Sequence, residues 1–493
     1  MKYVASVFAL IGFCYFSFAQ DVHLKDYDGY VAGDGDWGAA LDVALSDAGP
    51  TGTVLLDRTI FIHSWETTTT SVRLAAAPGT APIIETNGLV IHATGDIELT
   101  GIEVQGATTA EEVPTLVVFR GAARVKLENC VIRDAQEGLM GLNIHGTYEF
   151  RNTNFLNSGL ARRMRWNPIL KKHKPSGTAL GIASGTGGEL VNCHFTNIWG
   201  IGLWLNENDT QRLFVDNMHV ENIEYGGGIY MEGDHASVLN NTRNVTVTNS
   251  SFSGYSINGI RVNGSNHVLT GNEFYGDGTA AIKSHYLRDS RISGNQIFPE
   301  NGGGIELVAY PAAGHGIEGV LVLGNTITKT GSGIILNTKG GTYRDVRVMS
   351  NRINDSRDWA IVAWSASPTS NNQFIYNRLS NQGGRPFGFS AMNIQSQQAP
   401  VISHNQILGE AGSGNYGHVT LTNCTAPKMT GNSLVAPDCI NRTKGGFVFF
   451  GTTSIELEST NFQEINVPGY KLDAGSTISG VNGSTFKFGT CHW

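Results

Sequence analysis

One short phrase recurs through the second half of the chain: GNEF (271–274), GNQI (294–297), GNTI (324–327), SNRI (350–353), YNRL (376–379), HNQI (404–407) and GNSL (431–434). Looser copies precede it around Asn129, Asn154, Asn192, Asn217 and Asn249. Successive asparagines in this series are 23 to 38 residues apart. A period of this size is typical of a protein built from stacked repeats.

The segments between the asparagines are short and β-type, such as VTVTNSSF (245–252) and VLVLGNTI (320–327). They show no apolar periodicity of helix length, and the leucine-dominated consensus of a leucine-rich repeat is absent. The pattern predicts an all-β fold, a right-handed parallel β-helix of about 12 coils with three strands in each. We expect the asparagines to form a ladder inside one turn, where each amide bonds the backbone and the coil above.

The two ends of the chain differ from the repeat. Residues 1–19 carry Lys2, then an apolar run, then small residues before position 20, which is the pattern of a signal peptide cleaved near Ala19. We therefore predict a secreted or periplasmic protein with a cap segment at 20–56, the β-helix at 57–440 and a C-terminal cap at 441–493. The mature chain has five cysteines, an odd number that argues against a disulfide framework.

Residues 22–57 read VHLKDYDGYVAGDGDWGAALDVALSDAGPTGTVLLD. This stretch resembles the leading segment of the pectin-lyase-like superfamily, in which a "KDFGAxGDG" phrase precedes a short helix and a "GGTVxLP" strand. The resemblance covers some 35 residues and implies a right-handed parallel β-helix. By the same resemblance, the helix is an N-terminal cap that buries Leu41, Val43, Ala44 and Leu45 against the end of the core.

A second run recurs ahead of the asparagines, including GLWLNEND (202–209), GIYMEGDH (228–235) and GIRVNGSN (259–266). Because side chains alternate along a strand, every second residue of these runs faces outward. The first predicted outward column is Trp204, Tyr230, Arg261, Lys283, Glu306, Ile335 and Val362. The second is Asn206, Glu232, Asn263, His285, Val308, Asn337 and Trp364, and Asp234 and Tyr310 fall in a third.

Aromatic, acidic and basic residues in such columns are typical of a polysaccharide-binding groove, since rings stack on sugars and cations bind acidic substituents. An insertion, ARRMRWNPILKKHK (161–174), adds six Lys or Arg residues just ahead of one of these strands. It predicts an anionic polysaccharide despite the net charge of −8. That charge and the lack of a second long apolar run argue against nucleic acid and membrane partners. A monomer and a homotrimer are both compatible with the sequence.

Glu232 and Asp234 stand two residues apart on one predicted strand. Residues i and i+2 of a strand lie about 6.6–7 Å apart on one face, within the roughly 6.5–9.5 Å that separates the acid and base of an inverting glycosidase. The MEGD stretch resembles the catalytic strand of iota-carrageenases. That resemblance implies that Glu232 is the general acid and Asp234 the general base, with no cofactor, and we add His285 to the catalytic set because it is outward and near the acids.

Two other functions remain open. Chondroitinase-B-like and alginate lyases hold calcium with an Asn and two acids, an order that Asn206, Glu232 and Asp234 reproduce ahead of Arg261. A β-helix that only binds glycans is the third possibility. In each case the predicted substrate-binding residues are Trp204, Asn206, Tyr230, Arg261, Asn263, Lys283, Glu306 and Tyr310.

Overall fold

The fold is taken from a computed structural model of the chain. The structure describes residues 20–107, 115–167, 172–205, 212–231, 242–299, 302–311, 316–365, 369–381, 387, 389–409, 417–435, 446–463, 470–482 and 485–487. The predicted signal peptide, residues 1–19, lies outside them. No helix of the described part is long and apolar enough to cross a membrane.

Three parallel sheets, here called A, B and C, run the length of the molecule, and the chain visits them in that order in each coil. This confirms the predicted parallel β-helix. Sheet C has sixteen strands: Trp65–Thr69, Leu89–Ala93, Thr115–Arg120, Gly138–Asn143, Leu180–Ser184, Leu203–Leu205, Ile229–Met231, Asn258–Arg261, Ala280–Ser284, Gly303–Ala309, Ile334–Thr338, Ile361–Trp364, Met392–Gln395, Val419–Thr422, Phe447–Phe450 and Tyr470–Leu472.

Sheets A and B complete each coil. Sheet A comprises Val22–His23, Val54–Leu56, Val72–Ala76, Asp96–Thr100, Arg124–Glu128, Thr147–Arg151, Gly187–Val191, Leu213–Asp216, Val245–Thr248, Val268–Thr270, Arg291–Ser293, Leu321–Leu323, Arg347–Met349, Gln373–Ile375, Val401–Ser403, Lys428–Thr430, Ile455–Glu458 and Ile478–Asn482. Sheet B comprises Ile60–Ile62, Ile83–Thr86, Glu103–Gly106, Val131–Ala135, Asn154–Ser158, His194–Ile198, His219–Ile223, Ser251–Ser253, Glu273–Tyr275, Gln296–Ile297, Thr326–Thr328, Arg352–Asn354, Arg378–Ser380, Gln406–Leu408, Ser433–Val435, Asn461–Gln463 and Thr485–Lys487.

Two smaller sheets are formed by residues outside sheets A, B and C. A six-stranded parallel sheet follows sheet C in the later coils, with strands Gly264–Ser265, Leu287–Arg288, Ile317–Glu318, Tyr343–Arg344, Thr369–Ser370 and Gln397–Gln398. An antiparallel hairpin, Met164–Asn167 and Lys172–Pro175, forms within the predicted basic insertion. The insertion therefore adds a hairpin to the coil, and the sheet C strands on either side of it still pair in parallel, with one register shift after Leu142.

The first coil is closed by helical structure, as the sequence predicts. A 3₁₀ segment, Leu24–Tyr30, leads to the α-helix Gly38–Ala48. Leu41 and Ala44 of this helix are fully buried, and the half-buried Leu45 also packs against the core. The helix thus covers apolar side chains that a further coil would otherwise cover.

The asparagine ladder lies in the turn between sheets A and B, and the asparagines of all seven copies of the repeated phrase belong to it. Each Nδ2 of Asn272, Asn295 and Asn325 donates to the Oδ1 of the next ladder asparagine, at 3.0, 2.8 and 2.9 Å. Each of these Oδ1 atoms also accepts the backbone N–H of the asparagine one coil before it. Each Nδ2 also donates to a backbone carbonyl of the coil before its own. Each buried turn is thereby satisfied by its neighbour, and the pattern continues through Asn351, Asn377, Asn405 and Asn432.

The looser copies form a different ladder. Asn129, Asn192, Asn217 and Asn249 adopt positive φ angles of 55°, 54°, 52° and 49°, one position before the buried site. Asn152, and not the predicted Asn154, supplies the missing member, and its Nδ2 donates to Asn129 at 2.9 Å on the exposed side. The buried position in these coils holds smaller or apolar residues. The Sγ of Cys130 takes over part of the amide's role and donates to Leu99 O at 3.3 Å.

The β-helix is longer than the asparagine phrase indicates. Parallel pairs continue past residue 440 to Thr485–Lys487, so the predicted C-terminal cap at 441–493 begins within the stack. The phrase disappears there because Thr460 replaces the ladder asparagine, and it is fully buried at the position one coil beyond Asn432. Further coils without the phrase precede Asn129, which explains why sheet C has more strands than the predicted 12 coils.

We predict that Asn325→Leu lowers the melting temperature of the protein sharply. The substitution leaves the Asn295 backbone N–H and the Ile292 carbonyl without partners, and each orphaned buried group costs about 1–3 kcal/mol. Thermal unfolding followed by circular dichroism measures the effect. Thr326→Leu, at the outward-facing neighbouring position, is the matched control, and an equal change in both variants would contradict the ladder's role.

Candidate functional site

The outer face of sheet C presents one side chain from each coil at the same position along the strand. The register pairs Trp204 with Tyr230, Tyr230 with Arg261, and Arg261 with Lys283. Lys283 then pairs with Glu306, followed by Ile335 and Val362. The first predicted outward column is therefore a continuous row, in which neighbours are about 4.8 Å apart. The inward partners, such as Ile260, Ile282 and Ile305, are fully buried.

Arg261 is the centre of a polar cluster on this row, which we call the Arg261 cluster (Tyr230, Arg261, His285 and Tyr310). The Arg261 side chain is only 8% exposed, and its guanidinium carbon lies 4.7 Å from the centroid of the Tyr230 ring. Nη1 donates to the Tyr230 hydroxyl and Nη2 donates to His285 Nδ1 at 2.8 Å. All of these partners are uncharged, so a buried cation lies here without a carboxylate among the described residues.

The contact with Arg261 determines the state of His285. A guanidinium can only donate, so Nδ1 of His285 must accept, and we assign the ring as the neutral tautomer with its proton on Nε2. The Tyr310 ring meets His285 edge-on, with 4.9 Å between ring centroids. In this arrangement the imidazole lone pair is occupied. His285 therefore positions Arg261 and cannot accept a proton from substrate unless that hydrogen bond breaks.

Lys283 and Glu306 form an ion pair on the next two coils. Nζ and Oε2 are 2.6 Å apart, and both side chains keep about a fifth of their surface exposed. The two charges neutralise each other, in contrast to the Arg261 guanidinium. Each retains exposed surface with which to bind a polar ligand.

The structure corrects the prediction that Asn263 faces outward, because its side-chain amide hydrogen-bonds to backbone atoms. Nδ2 of Asn263 donates to Met231 O at 3.2 Å, and Oδ1 accepts from His285 N at 2.8 Å. The residue follows the end of its strand and is buried in the turn, so strand alternation no longer applies to it. Trp204 remains in the row, half-buried with its ring over Gly181, and its indole nitrogen has no hydrogen-bond partner in the described part of the chain.

The proposed acid pair, Glu232 and Asp234, and the proposed ligand Asn206 lie outside the described residues. Met231, the last residue before Glu232, ends a strand of sheet C one coil from Arg261. Among the residues that the structure does describe, no group of three or more His, Cys, Asp or Glu side chains is arranged to hold a metal ion. The hydrolase and calcium-dependent interpretations therefore both remain predictions.

The arginines at the base of the hairpin pair with acidic residues. Arg162 Nη2 lies 2.7 Å from Glu224 Oε1, and Arg163 Nη1 lies 3.9 Å from Glu137 Oε1. Glu137 and Glu224 both precede strands of sheet C, so the hairpin is attached at the edge where these strands begin, here called the leading edge. Two of the six predicted cations thus anchor the hairpin, and their charge is partly neutralised.

Sequence analysis passed over several residues on the same face. Trp359 and Phe389 precede strands of sheet C and lie near Trp364, while Asp277, Thr279, Ser332 and Arg357 line a cavity at the leading edge. Two signals mark them in the sequence. One is the pair of tryptophans within RDWAIVAW (357–364), and the other is the glycine-rich turns such as GDGTA (276–280). Neither signal alone indicates which face the residues share.

Comparison with known proteins supports the fold. The family described as "Right handed beta helix region" matches residues 87–242 and 235–407. The A-module of a mannuronan C-5 epimerase from Azotobacter vinelandii is similar in structure, with 15% identity over 94% of this chain and 99% of that one, and a TM-score of 0.29. No curated protein matches the chain significantly in sequence.

Two further solved structures are similar to this chain. A family 28 exopolygalacturonase from Yersinia enterocolitica has 11% identity over 95% of this chain and 78% of that one, with a TM-score of 0.35. PfbA, a surface adhesin of Streptococcus pneumoniae, has 14% identity over 89% of this chain and 92% of that one, with a TM-score of 0.36. Likeness at this level concerns the fold.

We predict that Tyr230→Phe destabilises the protein by about 1–3 kcal/mol, because Nη1 of the buried Arg261 loses its hydroxyl acceptor. Urea denaturation of both proteins gives the difference in the free energy of unfolding. Tyr376→Phe is the control, since that side chain is 56% exposed on another face. If the two substitutions cost the same, the Tyr230 hydroxyl does not stabilise Arg261.

Proposed function

The chain belongs to the right-handed β-helix family, and on this scaffold we propose that it binds and cleaves an anionic polysaccharide along the outer face of sheet C. The signal-peptide pattern of residues 1–19 supports an activity outside the cell or in the periplasm. The polysaccharide lies along the row from Trp204 to Glu306 and crosses successive coils.

The observation that carries this proposal is the buried guanidinium of Arg261. A cation that is 8% exposed and whose partners among the described residues are all neutral is costly, and a bound anion offsets that cost. Its Nε is buried and has no hydrogen-bond partner within the described residues, which adds to the cost of holding this cation in place. A carboxylate or sulfate on a sugar has the charge and the acceptor oxygens that this group requires.

The cleavage step is assigned to Glu232 and Asp234. Glu232 donates a proton to the glycosidic oxygen as the bond from that oxygen to the anomeric carbon breaks. Asp234 removes a proton from a water molecule, whose oxygen bonds to the same carbon from the opposite side. The product has inverted configuration at that carbon. Arg261 holds the acidic substituent of the sugar beside this pair, and His285 positions Arg261.

The buried Arg261 cation also favours a second reaction, that of a lyase or an epimerase. In a lyase or epimerase acting on a uronate, Arg261 would neutralise the sugar carboxylate and so stabilise the carbanion formed at the neighbouring carbon. Asn206, Glu232 and Asp234 would then hold calcium in place of doing proton chemistry. The occupied lone pair of His285 argues against that residue as the base, so Lys283 would have to leave Glu306 to serve.

Depolymerisation assays separate these functions. Sulfated galactans, uronans and neutral glucans are each incubated with the protein, and both reducing ends and absorbance near 235 nm are followed. Hydrolysis produces reducing ends alone, whereas a lyase acting on a uronan adds an unsaturated chromophore. Retention of a polymer on a column of the protein without shortening would instead show a binding protein.

We predict that Arg261→Gln weakens binding of the anionic polymer by about 10- to 100-fold, the equivalent of a lost charge-assisted hydrogen bond or two. Affinity electrophoresis at two salt concentrations measures the loss. Arg378→Gln is the matched control, because Arg378 is an exposed arginine of sheet B. Unchanged affinity in Arg261→Gln, with the variant folded, would show that the guanidinium is only structural.

We predict that Glu232→Gln and Asp234→Asn each reduce turnover by about 10²–10⁴-fold, as expected for positioned proton-transfer groups. Polymer binding should persist because both substitutions preserve shape, and a chelator should have little effect on the wild type. Loss of activity on chelation, with Arg261 and Lys283 essential, would instead support the lyase. Full activity in both variants would exclude this acid pair.

A further inference from the structure

A cavity of about 340 Å³ opens at the leading edge of sheet C, beside the row that carries Arg261 and Glu306. Its walls come from five successive coils and include Asp277, Thr279, Ser332, Ile335 and Arg357. Ile335 belongs to the outward row and follows Glu306 on the next coil. The cavity is therefore continuous with the proposed polysaccharide path.

Glycine makes this cavity possible. Four of its lining residues are glycines: Gly278, Gly302 and Gly331 lie in the turns that lead into sheet C, and Gly303 begins one of its strands. A Cβ at Gly302 would come within 2.2 Å of Gly278 O, so the coils approach more closely here than any other residue allows. The floor is bare backbone, while the hydroxyls of Thr279 and Ser332 and the charges of Asp277 and Arg357 lie at the walls.

Arg357, which lines the last coil of the cavity, lies two residues before an aromatic group that we call the indole platform (Trp359, Trp364 and Phe389). Trp359 stacks on Phe389 with 4.5 Å between ring centroids and a 14° angle between planes. Trp364 meets Trp359 edge-on at 4.8 Å. Trp359 lies two residues before the strand Ile361–Trp364, Trp364 ends it, and the outward side chain of Val362 between them is fully buried.

The indole platform also contains an unused donor. Trp359 Nε1 is buried and has no hydrogen-bond partner in the described part of the chain, although buried indole N–H groups usually have one. All three platform side chains are half-buried and keep exposed ring surface. Exposed ring surface together with the hydroxyls of Thr279 and Ser332 in the cavity matches a sugar ring, which has an apolar face and a rim of hydroxyls, whereas Trp359 Nε1 reaches a ligand only if its ring moves.

We propose that the cavity and the indole platform form a second glycan subsite, which binds a pyranose ring of the same polysaccharide chain. This inference rests on the proposed function. Val362 is four coils from Arg261 along the row, which is about 19 Å at the strand spacing and spans several sugar units. The site thus extends along the polymer from the acidic sugar at Arg261 to a ring stacked on Trp364. A long oligosaccharide reaches both subsites, whereas a disaccharide reaches only one.

Calorimetric titration with short and long oligosaccharides tests the second subsite. The probes are a disaccharide and a long oligomer, each prepared from oligogalacturonate and from sulfated galactan. Trp364→Leu should weaken the long oligomer about tenfold, the scale of one aromatic contact with its buried area, and leave the disaccharide at Arg261 unchanged. Phe214→Leu, on the exposed face of sheet A, is the matched control.

A second variant tests the cavity without removing the platform. Ile335→Trp places a large ring in the cavity from an outward-facing position, and we expect the same selective loss for the long oligomer. If both variants bind the long oligomer as tightly as the wild type, while Arg261→Gln loses it, the second subsite is wrong and the proposed function stands. If the wild type binds no saccharide of either length, both proposals fall.

Discussion

The structure depends on one constraint, the spacing of about 4.8 Å at which parallel strands hydrogen-bond. Every coil must present its turns and side chains at that spacing, and the buried turn between sheets A and B can keep it only if its polar groups are satisfied from coil to coil. The asparagine ladder meets this requirement, because each amide donates to the next asparagine and to a backbone carbonyl of the coil before. Where the asparagine is missing, Cys130 donates to a carbonyl of the coil before, and the Thr460 hydroxyl donates to a carbonyl two residues earlier in its own coil.

The same spacing produces the functional face. Residues 22 and 31 positions apart in sequence become neighbours in a single row, so Tyr230, Arg261 and Lys283 lie on consecutive coils. Proximity has opposite results at different points of the row. Lys283 and Glu306 neutralise each other, whereas Arg261 is buried between a phenol and an imidazole and has no carboxylate partner among the described residues. That difference is the basis on which we propose an anionic ligand for the row.

The leading edge of sheet C shows how turns shape what the strands present. Glycine-rich turns let the coils approach closely and leave a cavity. Trp359, in the turn before a strand, and Trp364, at the end of that strand, contribute to the indole platform. The strands themselves are nearly uniform in their inward side chains. Specificity along the face therefore comes from the turns and the outward residues, and these can vary without disturbing the apolar stack.

The sequence by itself determined the fold, the buried ladder and the alternation of sheet C, since each follows from a period that a parallel stack imposes on local residues. Pairings across coils, such as Arg261 with His285 and Lys283 with Glu306, needed the tertiary structure, because side-chain contacts depend on rotamers and burial. Asn263 shows the limit of alternation, since its strand ends at Arg261 and its amide turns to the backbone. The contact between Trp359 and Trp364 was likewise a matter of tertiary structure, because sequence does not show that a residue before a strand and the last residue of that strand bring their rings together.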